Sequence, residues 1–182
     1  MPDPDHDTPE EIVWQGKYIT AKKRGRWEYV SRARNIRAAV IAAVEDGHVL
    51  LVEQYRVPLG RTCLEMPAGL IGDGAGEEGE DTLVAAGREL EEETGYRAAR
   101  LRDVGSFHSS PGMVSESFTL VRATGLTKVG DGGGVDSEDI TVHRVPLAGL
   151  ADFIDSRRAA DVAVDVKLLL LLGTAIFGEE LS

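Results

Sequence analysis

An acidic segment, Arg88–Tyr96, carries the residues best suited to chemistry. It reads Arg-Glu-Leu-Glu-Glu-Glu-Thr-Gly-Tyr. On a helix, Glu89 and Glu93 lie four residues apart on one face, with Glu92 beside them. Like charges at this spacing repel, and a bound Mg²⁺ or Mn²⁺ ion would offset the repulsion because these cations prefer carboxylate oxygens. The alternative is a solvated acidic helix face.

The residues before this segment extend the pattern. Glu80 lies eight residues before Arg88, and Gly74 lies six residues before Glu80. The whole arrangement is Gly-x5-Glu-x7-Arg-Glu-U-x-Glu-Glu-x-Gly-U, where U is bulky and apolar, and every fixed position is filled. It resembles the Nudix box, so the chain is similar to the Nudix hydrolase superfamily. Such a long motif is far more specific than an acidic helix face alone.

A second glycine competes for the first position of the box. The turn Pro67-Ala68-Gly69 is similar to one that often contains the box glycine in this family. Counted from Gly69, the loop to Glu80 is five residues too long. We therefore expect Gly69 to be the structural glycine and the stretch 73–78 to carry an insertion.

Further segments resemble the ADP-ribose and ADP-sugar pyrophosphatase branch of the superfamily. Pro111, fifteen residues after Tyr96, matches a position that is typical of ADP-ribose hydrolases. The other matching segments are Trp27–Arg32, Val52–Arg56, Pro67–Ile71 and Val164–Lys167. The resemblance implies cleavage of a nucleoside diphosphate sugar, with ADP-ribose split to AMP and ribose 5-phosphate.

The resemblance also implies a set of metal ligands and catalytic residues. The Ala68 carbonyl, Glu89 and Glu93 would bind Mg²⁺, or Mn²⁺ in its place, with Glu92 adjacent as a ligand or catalytic group. Glu138, on an acidic loop, would bind a further ion or position the attacking water; otherwise it is a solvated loop acid. Arg88 would orient a carboxylate from behind the metal ligands.

Other residues would bind the substrate on the same resemblance. Arg56 would contact the diphosphate, since a guanidinium group suits phosphate oxygens; the alternative is a surface arginine. Trp27 and Tyr18 would stack on the purine, although aromatic residues in an early strand are more often core. Glu28 and Arg32 would hydrogen-bond the base or brace a dimer.

The elements that must position these residues follow from local patterns. Short strands are predicted at 12–14, 18–20 and 27–30, with a turn at 23–26. A hairpin of 38–44 and 48–55 is predicted from Asp46-Gly47. A helix is predicted over 81–94 with Gly95 as its C-terminal glycine. Later expectations are strands at 101–107, 117–124 and 140–146, a mobile loop at 128–137, and helices at 148–158 and 162–177.

These elements predict an α/β fold, the Nudix α/β/α sandwich with a mixed sheet. We expect a disordered tail at 1–11, an N-terminal β lobe at 12–36 that forms a homodimer, and the hydrolase domain at 37–182.

Composition restricts the class of protein. The formal net charge is −11 over 182 residues, which argues against nucleic acid as a partner. Cys63 is the only cysteine, so no disulfide framework or cysteine-based zinc cluster is expected. The acidic N-terminus does not resemble a signal peptide, and the apolar run 168–177 is too short to span a membrane. A cytoplasmic location is expected.

Two other functions fit the same residues. One is a nucleoside-triphosphate pyrophosphatase of the same superfamily, which Pro111 and the N-terminal lobe disfavour. The other is a catalytically silent nucleotide-binding regulator, which the intact acidic helix disfavours. The sequence does not choose among ADP-ribose and similar nucleoside diphosphate sugars.

Overall fold

The computed structural model describes residues 4–33, 36–72, 79–135 and 138–172. The strands are β1 (Glu10–Gln15), β2 (Ile19–Arg24), β3 (Trp27–Arg32), β4 (Arg37–Glu45), β5 (His48–Arg56), β6 (Arg61–Glu65), β7 (Ala68–Ile71), β8 (Tyr96–His108), β9 (Ser117–Lys128), β10 (Thr141–Pro146) and β11 (Ala163–Val164). The α-helices are α1 (Thr82–Thr94) and α2 (Leu150–Ala159), and short 3₁₀ segments cover Val57–Leu59, Leu147–Gly149 and Val166–Leu172. None of the helices in these ranges has the length and apolar character needed to cross a bilayer.

The first three strands form a separate antiparallel sheet, in the order β1-β2-β3. This agrees with the short strands predicted near the N-terminus. The first strand begins earlier than predicted, because Glu10 and Glu11 already pair with Arg24 and Lys23. All six residues of β1 are exposed.

The second sheet is mixed and has eight strands. Its path is β11-β6-β5-β4-β9-β8, with β10 added to β5 and β7 added to β4. The pairs β4–β9 and β11–β6 are parallel, and the others are antiparallel. The β4–β5 hairpin turns at Asp46 and Gly47, whose φ angles are 49° and 68°. These are the left-handed conformations that the Asp-Gly pair predicts.

Alternation along β4 divides the core into two layers. Val40, Ala42 and Val44 face a cluster that includes residues of α2, whereas Ala39, Ile41 and Ala43 face a cluster that includes residues of α1. Successive side chains of a strand point to opposite faces, so a sheet between two helical layers needs apolar residues at every position of its central strand. The predicted α/β/α sandwich is confirmed.

Helix α1 begins and ends where the sequence predicts. The Asp81 carboxylate accepts hydrogen bonds from the Leu83 and Val84 amides at 2.9 and 3.2 Å, which satisfies free donors of the first turn. Gly95 ends the helix with a φ of 73°.

The helix predicted at 162–177 is wrong over its described part. Ala163 and Val164 instead form β11, which pairs in parallel with Cys63 and Leu64 of β6. The Asp165 amide then donates to the Leu64 carbonyl at 3.0 Å. This pairing with the sheet edge overrides the helical preference of the leucine-rich run, which continues as a 3₁₀ segment to Leu172. Residues 173–177 lie outside the described chain.

The glycine-rich loop after β9 packs against the C-terminal end of α1, although its composition favours mobility. The Gly133 and Gly134 amides donate to the Glu93 and Glu92 carbonyls at 2.9 and 3.0 Å. These carbonyls belong to the last turn of a helix, where acceptors lack helical partners. A Cβ atom on Gly132 would lie 2.4 Å from the Thr94 carbonyl carbon, so only glycine permits this approach.

We predict that Gly132→Ala separates this loop from α1. Gly132 has a φ of 70°, and the added methyl group would collide with helix backbone. The free energy of unfolding should fall by about 1–2 kcal/mol, the cost of a left-handed alanine. Hydrogen exchange at the Gly133 and Gly134 amides should become faster.

Gly130→Ala is the matched control, because a Cβ there meets nothing within 4 Å and the φ angle is not left-handed. Equal amide protection in the two variants would contradict the proposed packing of the loop.

Candidate functional site

Arg88 contacts three carboxylates of the acidic segment. Its Nη1 atom lies 2.9 Å from Glu89 Oε1 and 3.1 Å from Glu92 Oε2. Its Nε atom lies 3.7 Å from Glu80 Oε1. One guanidinium group thus limits the positions of three acids that would otherwise repel one another, and the orienting role of Arg88 stays a prediction.

Glu89 lies directly against Gly69, at the start of β7. A Cβ atom on Gly69 would lie 2.0 Å from the Glu89 carboxyl carbon. The missing side chain therefore makes the space that this carboxylate fills, and Gly69 is a structural glycine of the site. Burial raises the pKa of Glu89, and the Arg88 guanidinium opposes that rise. The competing box glycine, Gly74, lies outside the described residues.

Glu93 is the most deeply buried acid of the helix, with 5% of its surface exposed. Its Oε2 atom accepts a hydrogen bond from the Ala68 amide at 3.0 Å. Burial, the largest cause, and the nearby charges of Glu89 and Glu138 raise the pKa of Glu93 to about 8, although the hydrogen bond from Ala68 opposes the rise. The family resemblance implies that the Ala68 carbonyl binds the metal ion. The structure adds that the amide of the same residue holds the Glu93 carboxylate.

Glu89, Glu93 and Glu138 line one cavity of about 420 Å³. Its wall also contains the cationic side chains Arg32, Arg56 and Lys167. The cavity thus brings carboxylates from α1 and the loop after β9 together with cations from three other parts of the fold. This combination suits an anionic ligand that binds together with a metal ion.

The residues of the cavity fit a divalent cation of the Mg²⁺ type. The wall supplies hard oxygen donors, and Gly69 leaves room for a carboxylate beside the backbone. The negative charge of Glu138 raises the pKa of both Glu89 and Glu93, so a cation bound among these carboxylates would relieve their repulsion. In the described ranges no three His, Cys, Asp or Glu side chains converge into a closed coordination shell. The acids form one wall of the cavity, and ligands from a substrate would have to complete the shell.

Glu138 reaches this cavity from the loop that packs on α1. Its Oε2 atom accepts a hydrogen bond from the Val135 amide at 3.1 Å. The residue is exposed. An acid at this position is accessible to solvent and to a ligand, and its role in metal binding or catalysis stays a prediction. Asp136, in the same acidic loop, lies outside the described residues.

Glu92 does not line this cavity. Its carboxylate contacts Arg88, and its backbone carbonyl accepts the Gly134 amide. Its predicted roles as a metal ligand and a catalytic group therefore remain predictions. In this structure Glu92 links Arg88 to the glycine-rich loop.

Arg56 extends into the cavity in a fixed orientation. Its Nε and Nη2 atoms donate to the two carboxylate oxygens of Glu65 at 2.6 and 2.7 Å. The Glu65 side chain is only 7% exposed, and its hydrogen bonds raise the pKa of Arg56. Sequence reasoning missed Glu65. A charged residue directly after the apolar pair Cys63 and Leu64 was the available signal.

The remaining predicted contacts separate into two groups. Arg32 lines the cavity, where its Nε atom donates to Glu116 at 2.5 Å. Glu28 is exposed on β3, and Tyr18 is 56% exposed with the Lys17 ammonium 4.8 Å from its ring centroid. Glu28 and Tyr18 are absent from the lining of the cavity.

Trp27 and Pro111 line a different cavity, of about 500 Å³. It lies between the N-terminal sheet and the segment after β8. The Ser31 and Ser115 hydroxyls, 2.7 Å apart, line this second cavity. Their chain neighbours Arg32 and Glu116 line the first cavity. The two cavities are therefore adjacent, on either side of the contact between β3 and residues 113–116.

Comparison with known proteins gives the family. The NUDIX domain model matches residues 34–160. A methanol dehydrogenase activator of Bacillus methanolicus is 38% identical over 124 residues, or 68% of this chain and 64% of that protein. An ADP-ribose pyrophosphatase of Bacillus subtilis is 36% identical over the same shares of the two chains. Both matches span less than two thirds of the relative's length.

A solved structure confirms the fold. The crystal structure of an ADP compounds hydrolase superposes with a TM-score of 0.70, covering 96% of this chain and 95% of the other at 24% identity. Its likeness concerns the fold alone. The family model covers most of the central sheet, helix α1 and the carboxylates of the cavity. The chain belongs to the NUDIX domain family.

Proposed function

We propose that the protein hydrolyses the pyrophosphate bond of a nucleoside diphosphate sugar with the help of Mg²⁺, and that ADP-ribose is the favoured substrate. The observation that carries this proposal is the cavity in which Glu89, Glu93 and Glu138 face three cationic side chains. The products are AMP and ribose 5-phosphate. The name of the B. subtilis relative, an ADP-ribose pyrophosphatase, supports this substrate class.

The cationic side of the cavity supports a diphosphate ligand. Glu65 fixes the Arg56 guanidinium with two hydrogen bonds, so little side-chain entropy is lost when its remaining donors bind phosphate oxygens. Arg32 and Lys167 add further cationic donors to the same cavity, each held by one carboxylate, Glu116 and Asp165 respectively. The diphosphate would lie between these cations and the acidic wall.

The acidic side would hold the metal ion. On the family resemblance, Glu89, Glu93 and the Ala68 carbonyl bind Mg²⁺, or Mn²⁺ in its place. When bound, such an ion polarises phosphoryl oxygens and lowers the pKa of coordinated water. Glu138 positions the attacking water, whose oxygen bonds to one phosphorus while the bridging oxygen leaves on the other phosphate.

The N-terminal sheet would bind the base and form a homodimer. Its first strand is fully exposed, and Ile12, Val13 and Trp14 are each more than half exposed. Exposed apolar residues grouped in this way are typical of interaction surfaces. Trp27 and Pro111 share the adjacent cavity, where an aromatic ring has room to stack on adenine. Residues 12–36 are the proposed dimerisation element.

A panel of substrates tests the proposed function. We expect hydrolysis of ADP-ribose in Mg²⁺, with AMP and ribose 5-phosphate formed in equal amounts, and slower turnover of ADP-glucose, GDP-mannose and nucleoside triphosphates. Preferential release of pyrophosphate from triphosphates would favour the rival pyrophosphatase. Binding of ADP-ribose without turnover would favour a catalytically silent regulator. The B. methanolicus relative is named a methanol dehydrogenase activator, which is a regulatory role.

We predict that Glu93→Gln lowers kcat by about a hundredfold or more at limiting Mg²⁺. Replacing a residue that only orients a metal ligand costs up to about a hundredfold in activity, and loss of the ligand itself should cost at least as much. The variant should remain folded, because glutamine keeps an oxygen for the Ala68 amide and has no carboxyl group to ionise in a buried position.

Glu91→Gln is the matched control for this variant. Glu91 belongs to the same helix but pairs with Arg97 at the surface, at 2.8 Å. Its turnover should equal that of the wild type. Wild-type kcat in Glu93→Gln would remove Glu93 from the set of metal ligands.

A second prediction concerns Trp27. Stacking on a base contributes about 1–3 kcal/mol, so Trp27→Ala should raise KM for ADP-ribose about tenfold or more. The base is remote from the bond that breaks, and kcat should change less. Trp27→Phe should restore most of the affinity because it keeps an aromatic ring.

Sedimentation must show that Trp27→Ala has the oligomeric state of the wild type. If KM stays unchanged in such a variant, Trp27 takes no part in binding the base.

A further inference from the structure

The two serines at the border of the first and second cavities are held in place by backbone hydrogen bonds. The Val30 amide donates to the Met113 carbonyl at 3.0 Å, and the Ser115 amide donates to the Val30 carbonyl at 2.9 Å. These bonds make a short parallel bridge, Val30 with Val114, between β3 and the segment before β9. Ser31 and Ser115 each follow the bridged residue of their own segment, so their side chains lie next to each other.

The surroundings of the two hydroxyl groups decide which of them donates. Ser31 is buried, with 8% of its surface exposed, whereas Ser115 is exposed. Within the described part of the chain, the two hydroxyls bond only to each other, at 2.7 Å. A buried O–H group that does not donate costs free energy, so Ser31 donates to Ser115. The Ser115 O–H group is then left to donate to a ligand in the cavity.

A third cavity, of about 360 Å³, adjoins the first two. It shares Ser31 and Ser115 with the second cavity, where Trp27 lies, and it shares Arg32 and Glu116 with the first, which contains the acids. The serine pair therefore lies between the proposed position of the base and the proposed position of the diphosphate. In a nucleoside diphosphate sugar, the group between base and diphosphate is a ribose with two neighbouring hydroxyl groups.

We propose that Ser115, positioned by Ser31, binds a hydroxyl group of the nucleoside ribose and thereby selects ribonucleosides over deoxyribonucleosides. The assignment rests on the proposed function, which places the base beside Trp27 and the diphosphate beside Arg56. A ribose hydroxyl can accept the hydrogen bond that Ser115 has left to give. A site built to bond a substrate hydroxyl disfavours the analogue that lacks it, because the donor of the site then loses its partner.

KM values for two substrates test this contact. One is ADP-ribose, and the other is its analogue in which the adenosine lacks the 2′ and 3′ hydroxyl groups. Ser115→Ala should raise KM for ADP-ribose about threefold to tenfold, the value of one neutral hydrogen bond. The same variant should leave KM for the analogue within about twofold of the wild type, because the bond it removes is already missing there.

Three further variants separate the contact from a general loss of structure. Ser115→Thr keeps the hydroxyl and should have the KM of the wild type. Ser31→Ala removes the donor that orients Ser115, and it should raise KM for ADP-ribose without changing KM for the analogue. Ser110→Ala is the matched control, because Ser110 precedes the bridge in the same segment but lines none of the three cavities. It should leave both KM values unchanged.

Equal increases of KM for the two substrates in Ser115→Ala, or no increase for ADP-ribose, would overturn the role of Ser115. The proposed function would survive that result, since the wild type would still cleave ADP-ribose. If the wild type cleaves no ADP-ribose, the proposed function fails and the role of Ser115 fails with it.

Discussion

The contact of helix α1 with the start of β7 is the constraint on which the site depends. Glu93 is buried against the Ala68 amide, and Glu89 fills the space left by Gly69. Placing acids in a poorly hydrated position disfavours their charged form, which is why the pKa of Glu93 lies at about 8. A cation bound there would stabilise the charged form of these acids. The same contact therefore makes ionisation of the acids unfavourable in the free protein and prepares them for metal binding.

The rest of the fold keeps that contact in place. Alternating apolar residues of β4 bury both faces of the sheet, and β7 pairs with the first half of the same strand. At the C-terminal end of the helix, the Gly133 and Gly134 amides donate to the last turn, which contains Glu92 and Glu93. These bonds hold the loop that carries Glu138 against the helix. Glu89, Glu93 and Glu138 therefore derive from elements that are locked to one another.

Local and motif-based reasoning recovered much of this arrangement. The acidic helix, its Asp81 and Gly95 boundaries and the role of Gly69 follow from spacing and from turn chemistry, which act within a few residues. The helix predicted at 162–177 failed because pairing of Ala163 and Val164 with β6 is a long-range interaction. The packing of Gly132 on α1 was missed for the same reason. The Arg56–Glu65 pair crosses the hairpin of β5 and β6, and it was missed because no strand was predicted over 61–65.

Proton release on metal binding tests the central claim most directly. Mg²⁺ is titrated by calorimetry, in buffers of different protonation enthalpy, into protein that holds an α,β-methylene analogue of ADP-ribose. Because the raised pKa of Glu93 keeps it protonated below about pH 8, Mg²⁺ binding at pH 7 should release close to one proton, ~0.9. The release should fall as pH rises above 8 and should vanish in Glu93→Gln. Mg²⁺ binding without proton release at pH 7, or no Mg²⁺ binding at all, would contradict the account.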